Sequence, residues 1–381
     1  MTNSVLRLLL ILLCTAPLAL AAADAPASLE DRVRALETQL VAISKENGEL
    51  KKQLGLTPKS APTFVTATGK VNKLSIGGFV QGQAEFGDAS DTRTVAGDRF
   101  YLRRARVGVK GSFAEKFDFT LQTDLGSNSL GAVSGNRAQA TDAFIVWTKY
   151  DAAYLTFGQF KTPYGHDQLL SDTKVITIER PLPSDSLTLS RQLGAMVSGS
   201  ILDKKLSYAA GLFNGNGVNL STNDNDNFLY VGRVNGTVVS GQAVKVTAGA
   251  GAFSSRDTGA FTGRRYGTGF DVQAVFARGE INAEFLRTHF DRVTGTDTDA
   301  QGWSVLGAWF IVPKTVQLVG RYEAYDPNTA VANDDADLWT VGLNYLLKGD
   351  DIKFGVNYLI GDPAGALKNQ GRLLTRVQLV F

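Results

Sequence analysis

Basic residues recur at alternate positions along several short segments of the chain. Arg104, Arg106 and Lys110 share one face with Gly108, opposite Tyr101, Ala105, Val107 and Val109. By the same two-residue period, Lys116, Lys245, Arg321, Lys353 and Arg376 point to the polar side of their segments. Acids lie among them: Glu85, Asp118, Asp124, Asp271, Glu284 and Glu323. A ring of Arg and Lys lining an aqueous passage attracts anions. The plainer use of the same residues is pairing with those acids to brace a wall, and the two uses can coexist. Further on, the stretch Lys161–Arg191 sets Lys161, His166, Lys174, Glu179, Arg180 and Arg191 among apolar residues. A loop of this length is rarely idle. We expect it to fold inward and constrict the passage, with Lys161, Lys174, Arg180 and Arg191 at the constriction. The bland alternative is a cover over the rim.

Catalytic chemistry finds little support. The chain has two histidines, His166 and His289, no cysteine pair, no HExxH and no GxSxG. Gly215-Asn216-Gly217 has no strand-to-helix step around it, so it is a loop turn and not a phosphate cradle. The acidic runs at Asn223–Asn227 and at Asp334, Asp335 and Asp337 offer oxygen ligands for calcium, but such runs are more often solvated loop tips. We expect no enzyme, no metal and no cofactor. The formal charge is +2, and no basic cluster with interleaved aromatics points to nucleic acid.

The elements that position these residues are strands. Lys116, Asp118, Thr120 and Gln122 oppose Phe117, Phe119 and Leu121; Lys353 and Asn357 oppose Ile352, Phe354, Val356 and Tyr358. The last segment alternates too. Leu373, Thr375, Val377, Leu379 and Phe381 fall on one face, and Arg372, Arg376 and Gln378 on the other. Segments Ala140–Tyr150 and Gly302–Ile311 leave their parity open. Short turns at Phe113–Glu115, Asp151, Leu202–Lys204, Ser240-Gly241, Arg278, Val312-Pro313 and Lys348–Asp351 alternate with long polar stretches. Those stretches are Gly87–Asp98, Gly126–Gln139, Lys161–Arg191, Asn214–Asp226, Ser254–Arg264, Asp291–Ala300, Asp326–Asp337 and Gly361–Gln370. Strict alternation of this kind predicts an all-β, antiparallel up-and-down transmembrane barrel of about sixteen strands over residues 74–381. Both barrel ends then lie in the periplasm, and sixteen strands enclose an aqueous channel. A mean hydropathy of −0.05 fits, because lumen residues dilute those facing lipid.

Before the barrel, residues 1–23 read as a signal peptide: Arg7, an apolar run from Leu8 to Leu13, and small residues at a cleavage site after Ala21 or Ala23. Cys14 lies inside it, so the mature chain forms no disulfide. Residues 28–55 follow as a periplasmic coiled-coil helix. Leu29, Val33, Leu36, Leu40, Ile43, Asn47, Leu50 and Leu54 keep heptad spacing, with Asn47 as the register-setting polar position. So narrow a seam suits self-association better than docking on a globular core. Residues 56–73, with Pro58 and Pro62, read as a linker.

Two stretches resemble a known family. Phe100 to Gly111, reading FYLRRARVGVKG, is similar to the second strand of phosphate-selective porins of the O/P type. Leu155 to Gly165, reading LTFGQFKTPYG, resembles that family's next station, with Tyr164 where phenylalanine is usual. Glu179-Arg180-Pro181 and Arg191-Gln192-Leu193-Gly194 are similar to its later stations. The resemblance implies a sixteen-stranded trimeric porin of the outer membrane, whose best-known relatives pass phosphate or polyphosphate along basic lumen residues. Its partners would be a small anionic solute, the lipid bilayer, two further copies and the barrel-assembly machinery, for which Phe381 resembles a terminal signal. Two alternatives stay open: a general or sugar-permeable porin, and an envelope tether whose coiled coil binds peptidoglycan.

Overall fold

The computed structural model describes residues 71–381 other than 90–92, 95–96, 115, 128–134, 259–261 and 363–369. The expected signal peptide and coiled coil lie outside the described residues, as does nearly all of the linker. Sixteen antiparallel strands form one closed barrel. They are β1 (Val71–Gly87), β2 (Arg99–Phe113), β3 (Phe117–Asp124), β4 (Gln139–Tyr150), β5 (Ala153–Lys161), β6 (Arg191–Ile201), β7 (Leu206–Phe213) and β8 (Leu229–Ser240). The second half comprises β9 (Val244–Thr258), β10 (Thr262–Phe276), β11 (Gly279–Arg292), β12 (Thr298–Val312), β13 (Val316–Asp326), β14 (Ala336–Leu346), β15 (Ile352–Asp362) and β16 (Gln370–Val380). Two short helices, α1 (His166–Leu169) and α2 (Leu182–Leu187), lie between β5 and β6.

Each strand pairs with its sequence neighbours, and β16 closes on β1 from Phe79↔Val380 to Gly87↔Arg372. Gly78 and Phe381 exchange two backbone hydrogen bonds of 2.9 Å, so the last residue seals the seam. Closure leaves no strand edge, which a backbone in hydrocarbon requires. Every expected turn falls between two strands. The stretch Ser254–Arg264 does not form a long loop: β9 runs on to Thr258 and β10 starts at Thr262. Its polar residues belong to a hairpin extension in which Arg265 pairs with Asp257 at 3.2 Å.

Outward and inward faces separate as the alternation requires. Val377, Leu379 and Phe381 are exposed, while Arg372, Arg376 and Gln378 are buried inside. Trp303, Trp309, Trp339, Tyr345 and Tyr358 are exposed on the outer face, where aromatic girdles sit at membrane interfaces. The two segments of open parity have physical explanations. In β4 the register shifts twice, between Leu121/Thr123 and between Trp147/Tyr150. In β12 the inward side carries Ala300, Ser304 and Ala308, too small and apolar to mark a wet wall.

Gly158 has φ +128°, and a Cβ there would lie 2.2 Å from the carbonyl oxygen of Ala143 on the neighbouring strand. Gly158→Ala therefore carries a backbone strain of about 1–3 kcal/mol before the overlap is counted. We expect it to lower the yield of heat-modifiable, folded barrel on unboiled gels. Full recovery of the folded band would show that β4 and β5 can separate to admit a methyl group.

Candidate functional site: a loop held inside the barrel

The chain between β5 and β6 turns into the lumen and is held along its length by inward side chains. Buried backbone polar groups need partners, and the wall supplies them. The amide nitrogen of Gln81 donates to Asp172 O at 3.0 Å, and that of Gln378 to Thr173 O at 3.0 Å. Lys353 Nζ donates to Thr173 O and Val175 O, each at 3.1 Å. Asn344 donates to Ile176 O at 2.8 Å, and Ile178 N donates to Asn357 Oδ1 at 2.6 Å. Arg376 donates to Ile178 O, Arg321 to Glu179 O at 2.7 Å, and Leu182 N to Glu323 Oε2 at 2.8 Å. Residues 172–182 are thus fixed to β1 and to β13–β16. The cover-over-the-rim alternative fails, because the bonded wall residues are the buried, inward ones.

Two loop carboxylates carry the ionic part of this grip. Asp172 meets Arg180 at 2.5 Å, Arg104 at 3.4 Å and Arg106 at close range. Glu179 takes a bidentate pair from Arg103, at 2.9 and 3.0 Å, and a contact from Arg376. Arg106 also reaches Asp124 at 2.7 Å, and Arg321 reaches Glu323 at 3.1 Å. Burial alone would push Asp172 up, but Arg104, Arg180 and Arg106 hold it well below the usual carboxylate range. Glu179 behaves alike: burial opposes its charge, and Arg103, Arg376 and Arg104 overcome it and hold it low. Arg180 is raised, because the pull of Asp172 outweighs its burial.

Arg103 was hidden by a β-bulge. Gln81 pairs with Arg104 but Gly82 pairs with Leu102, leaving Arg103 as the extra residue. A bulge sets two residues of one strand against one of the other. Arg103 and Arg104 therefore both face inward, and the parity beyond them flips. Tyr101, expected on the outer face, lies inside: Gln83 donates to its hydroxyl at 2.9 Å, and the hydroxyl donates to Glu85. Asp172 was missed as well, since an acid inside a long loop carries no signal until its arginine partners are placed beside it.

The other expected residues divide. Lys161 donates from Nζ to Gln168 O and Leu170 O, both at 2.6 Å, and so fastens α1. Arg191 pairs with Asp142 at 2.9 Å. Lys174 is exposed. Lys110 and Lys245 have inward parity but are exposed close to the short-turn ends of β2 and β9. Lys116 is not on a wall at all: it is exposed in the turn before β3, because that strand begins only at Phe117.

The loop's other side is apolar. Tyr164, Leu187 and Leu189 pack on inward Phe213, Phe253 and Leu286. The Tyr164 and Phe253 rings meet edge-on with centroids 4.9 Å apart. Beside them Arg233 pairs with Asp271 at 2.7 Å, and Glu284 accepts from His166 N. Gly249 makes room for that pair: a Cβ there would lie 2.4 Å from Arg233 Nη2.

A closed sixteen-stranded barrel with an apolar outer belt, a polar inner wall and a long loop bonded into its lumen defines a porin-type outer-membrane channel. The family model for phosphate-selective porin O and P matches residues 75–274 and 247–381, and the chain belongs to that family. A relative from Aquifex aeolicus (strain VF5), described only as an uncharacterised protein, is 22% identical over 394 residues, covering 88% of this chain and 90% of its own. The fold is similar to that of an anion-selective porin from Comamonas acidovorans, with a TM-score of 0.60 at 13% identity, over 81% of this chain and 99% of that one. It is also similar to OmpT of Vibrio cholerae in its trimer form, with a TM-score of 0.58 at 12% identity, over 81% and 99% of the two chains.

Removing one partner from a buried ion pair costs about 3–5 kcal/mol, because the other charge stays buried. Glu179→Gln strands Arg103 and Arg376, so we expect a lower melting temperature and noisier single-channel currents. Both loop carboxylates are lower in the folded protein than in the unfolded chain. Their contribution is complete above the ordinary carboxylate range, about 4.5, and is lost only as the pH falls toward the depressed values. The difference in current noise between the native protein and Glu179→Gln should stay constant from about pH 7 to about pH 5 and shrink only in stronger acid. A transition near neutrality would assign the anchor to other groups.

Proposed function

We propose that the barrel is a passive channel for small anions, phosphate or polyphosphate among them, narrowed by the segment 161–191. One observation carries the reading. Around the loop, Arg93, Arg103, Arg104, Arg106, Arg180, Arg191, Arg321, Arg376, Lys161 and Lys353 outnumber Asp124, Asp142, Asp167, Asp172, Glu179, Asp185, Glu323 and Asp350. The carboxylates lock the arginines in place without cancelling them, and the surplus positive charge favours an anion at the constriction. Asp271 and Glu284 on the facing wall limit that preference to a modest one. A specific feature supports a second reading, a channel tolerant of neutral solutes. Ser198, Ser207, Asn235, Thr237 and Thr247, nearer the short-turn rim, share inward parity and carry no charge.

Reversal potentials across planar bilayers in a salt gradient separate these readings. We expect anion preference, weakened by Arg104→Gln. Absence of conductance from folded protein would sink the channel itself. Cation preference would sink the anion reading, and a null potential with sugar-driven liposome swelling would favour the neutral one.

We further propose a homotrimer held in part by the coiled coil of residues 28–55, with residues 1–23 directing export and Phe381 read by the assembly machinery. Deleting Ser28–Gln53 should reduce trimer yield and leave single-channel conductance intact. Envelope detachment with unchanged solute uptake would instead favour the tether to peptidoglycan.

A further inference from the structure

The outer face of β7–β11 carries a feature that conduction does not use. Strand register aligns Ala210, Gly232, Ala252, Thr268 and Arg287 in one row across five strands, all on the lipid side. Small side chains make this row a trough. Tyr230 stands along one bank, Val234 and Phe270 along the other, and the apolar groove between them measures about 920 Å³. At Thr268 the groove runs into a second depression of about 330 Å³, lined by Tyr266, Arg287, His289 and Asp299. The first depression is apolar, and the second is charged.

The charged end lies toward the long-loop ends of β11 and β12. Arg287 and His289 follow Phe285 along β11 on the same face, on the side of the long loops. On β12, Asp299 lies on the same side of Trp303, a residue of the aromatic belt. Arg287 reaches Asp299 at 3.2 Å, and its side chain is still 54% exposed. One carboxylate oxygen cannot occupy five guanidinium N–H donors. Arg264, exposed, lies 5.5 Å over the Tyr266 ring, with exposed Arg256 directly across the hairpin. Asp291, opposite Arg264 on β11, and Asp299 are the acids of the cluster, and the three arginines exceed them. Exposed guanidiniums on a lipid-facing wall are costly in hydrocarbon and favourable beside phosphate.

We propose that this face binds one phosphorylated lipid of the outer leaflet, its phosphate on Arg287 and Arg264 and an acyl chain in the trough over Ala252 and Gly232. Charge at one end and a small-residue groove at the other match the two ends of such a molecule, and the shared Thr268 makes them one site. The site is separate from the lumen, so it stands or falls independently of the anion reading.

Native mass spectrometry of the full-length protein in detergent, titrated with purified lipopolysaccharide, tests it. Arg264→Gln combined with Arg287→Gln should weaken lipid retention about tenfold or more, as expected for lost charge-assisted hydrogen bonds. Ala252→Leu, which fills the trough, should weaken it too, and neither variant should move the reversal potential. If Ala252→Leu fails to fold, the arginine variant decides alone. Unchanged retention in the arginine variant overturns the proposal. So does displacement of the lipid by inorganic phosphate, which would mark a free-anion site, or loss of oligomer with lipid retention unaltered, which would assign the face to a second copy.

Discussion

The grip of wall arginines on two loop carboxylates is what the interior of this barrel depends on. Asp172 and Glu179 sit on a segment whose backbone would otherwise be unpaired in the middle of a channel. Burying them is unfavourable by itself, and each is kept ionised only because several guanidiniums converge on it. The arrangement is self-reinforcing. Arginine forks fix the carboxylates, the carboxylates fix residues 172–182, and the fixed backbone then accepts from Lys353, Gln81 and Gln378. On the opposite side the same loop relies on Tyr164 and Leu187 against a greasy inner wall. One segment thus bridges two unlike surfaces, ionic on β13–β2 and apolar on β7–β11.

The bulge at Arg103 makes the ionic side possible. A regular β2 would send Arg103 into the lipid belt, where an unpaired guanidinium is costly. One extra residue turns it inward and delivers two adjacent arginines to one level of the wall. Arg104 and Arg106 then serve Asp172, while Arg103 serves Glu179.

Much of the architecture was legible because its physical cause is local. A strand between lipid and water must alternate, and a hairpin must turn in a few residues, so Val377, Leu379 and Phe381 reveal their face without any partner. The long loop announced itself by length and by its mixture of arginine and apolar residues. The site was less legible because its logic is not local. Nothing near Asp172 in sequence tells that Arg104 and Arg106 will meet it. The bulge, a property of two strands together, reversed the expected face of Tyr101. In β12 the pattern failed for another reason: Pro183 of the loop packs against Gly302, so the inner wall there has no cause to be polar.

Wall-bracing and the proposed anion guidance call on the same arginines. Bracing requires carboxylates close enough to hold the guanidiniums in place, and guiding requires that some positive charge be left over. A wall with equal numbers would be stable and electrically mute; a wall of arginines alone would repel itself and have nothing to hold the loop. Fewer carboxylates than cations, with Asp172 and Glu179 each shared among several, meets both demands at once. Asp172 shared by Arg104, Arg106 and Arg180 is the clearest instance. Its geometry fixes three positive groups while neutralising one charge, leaving the surplus on which the proposed anion constriction would draw.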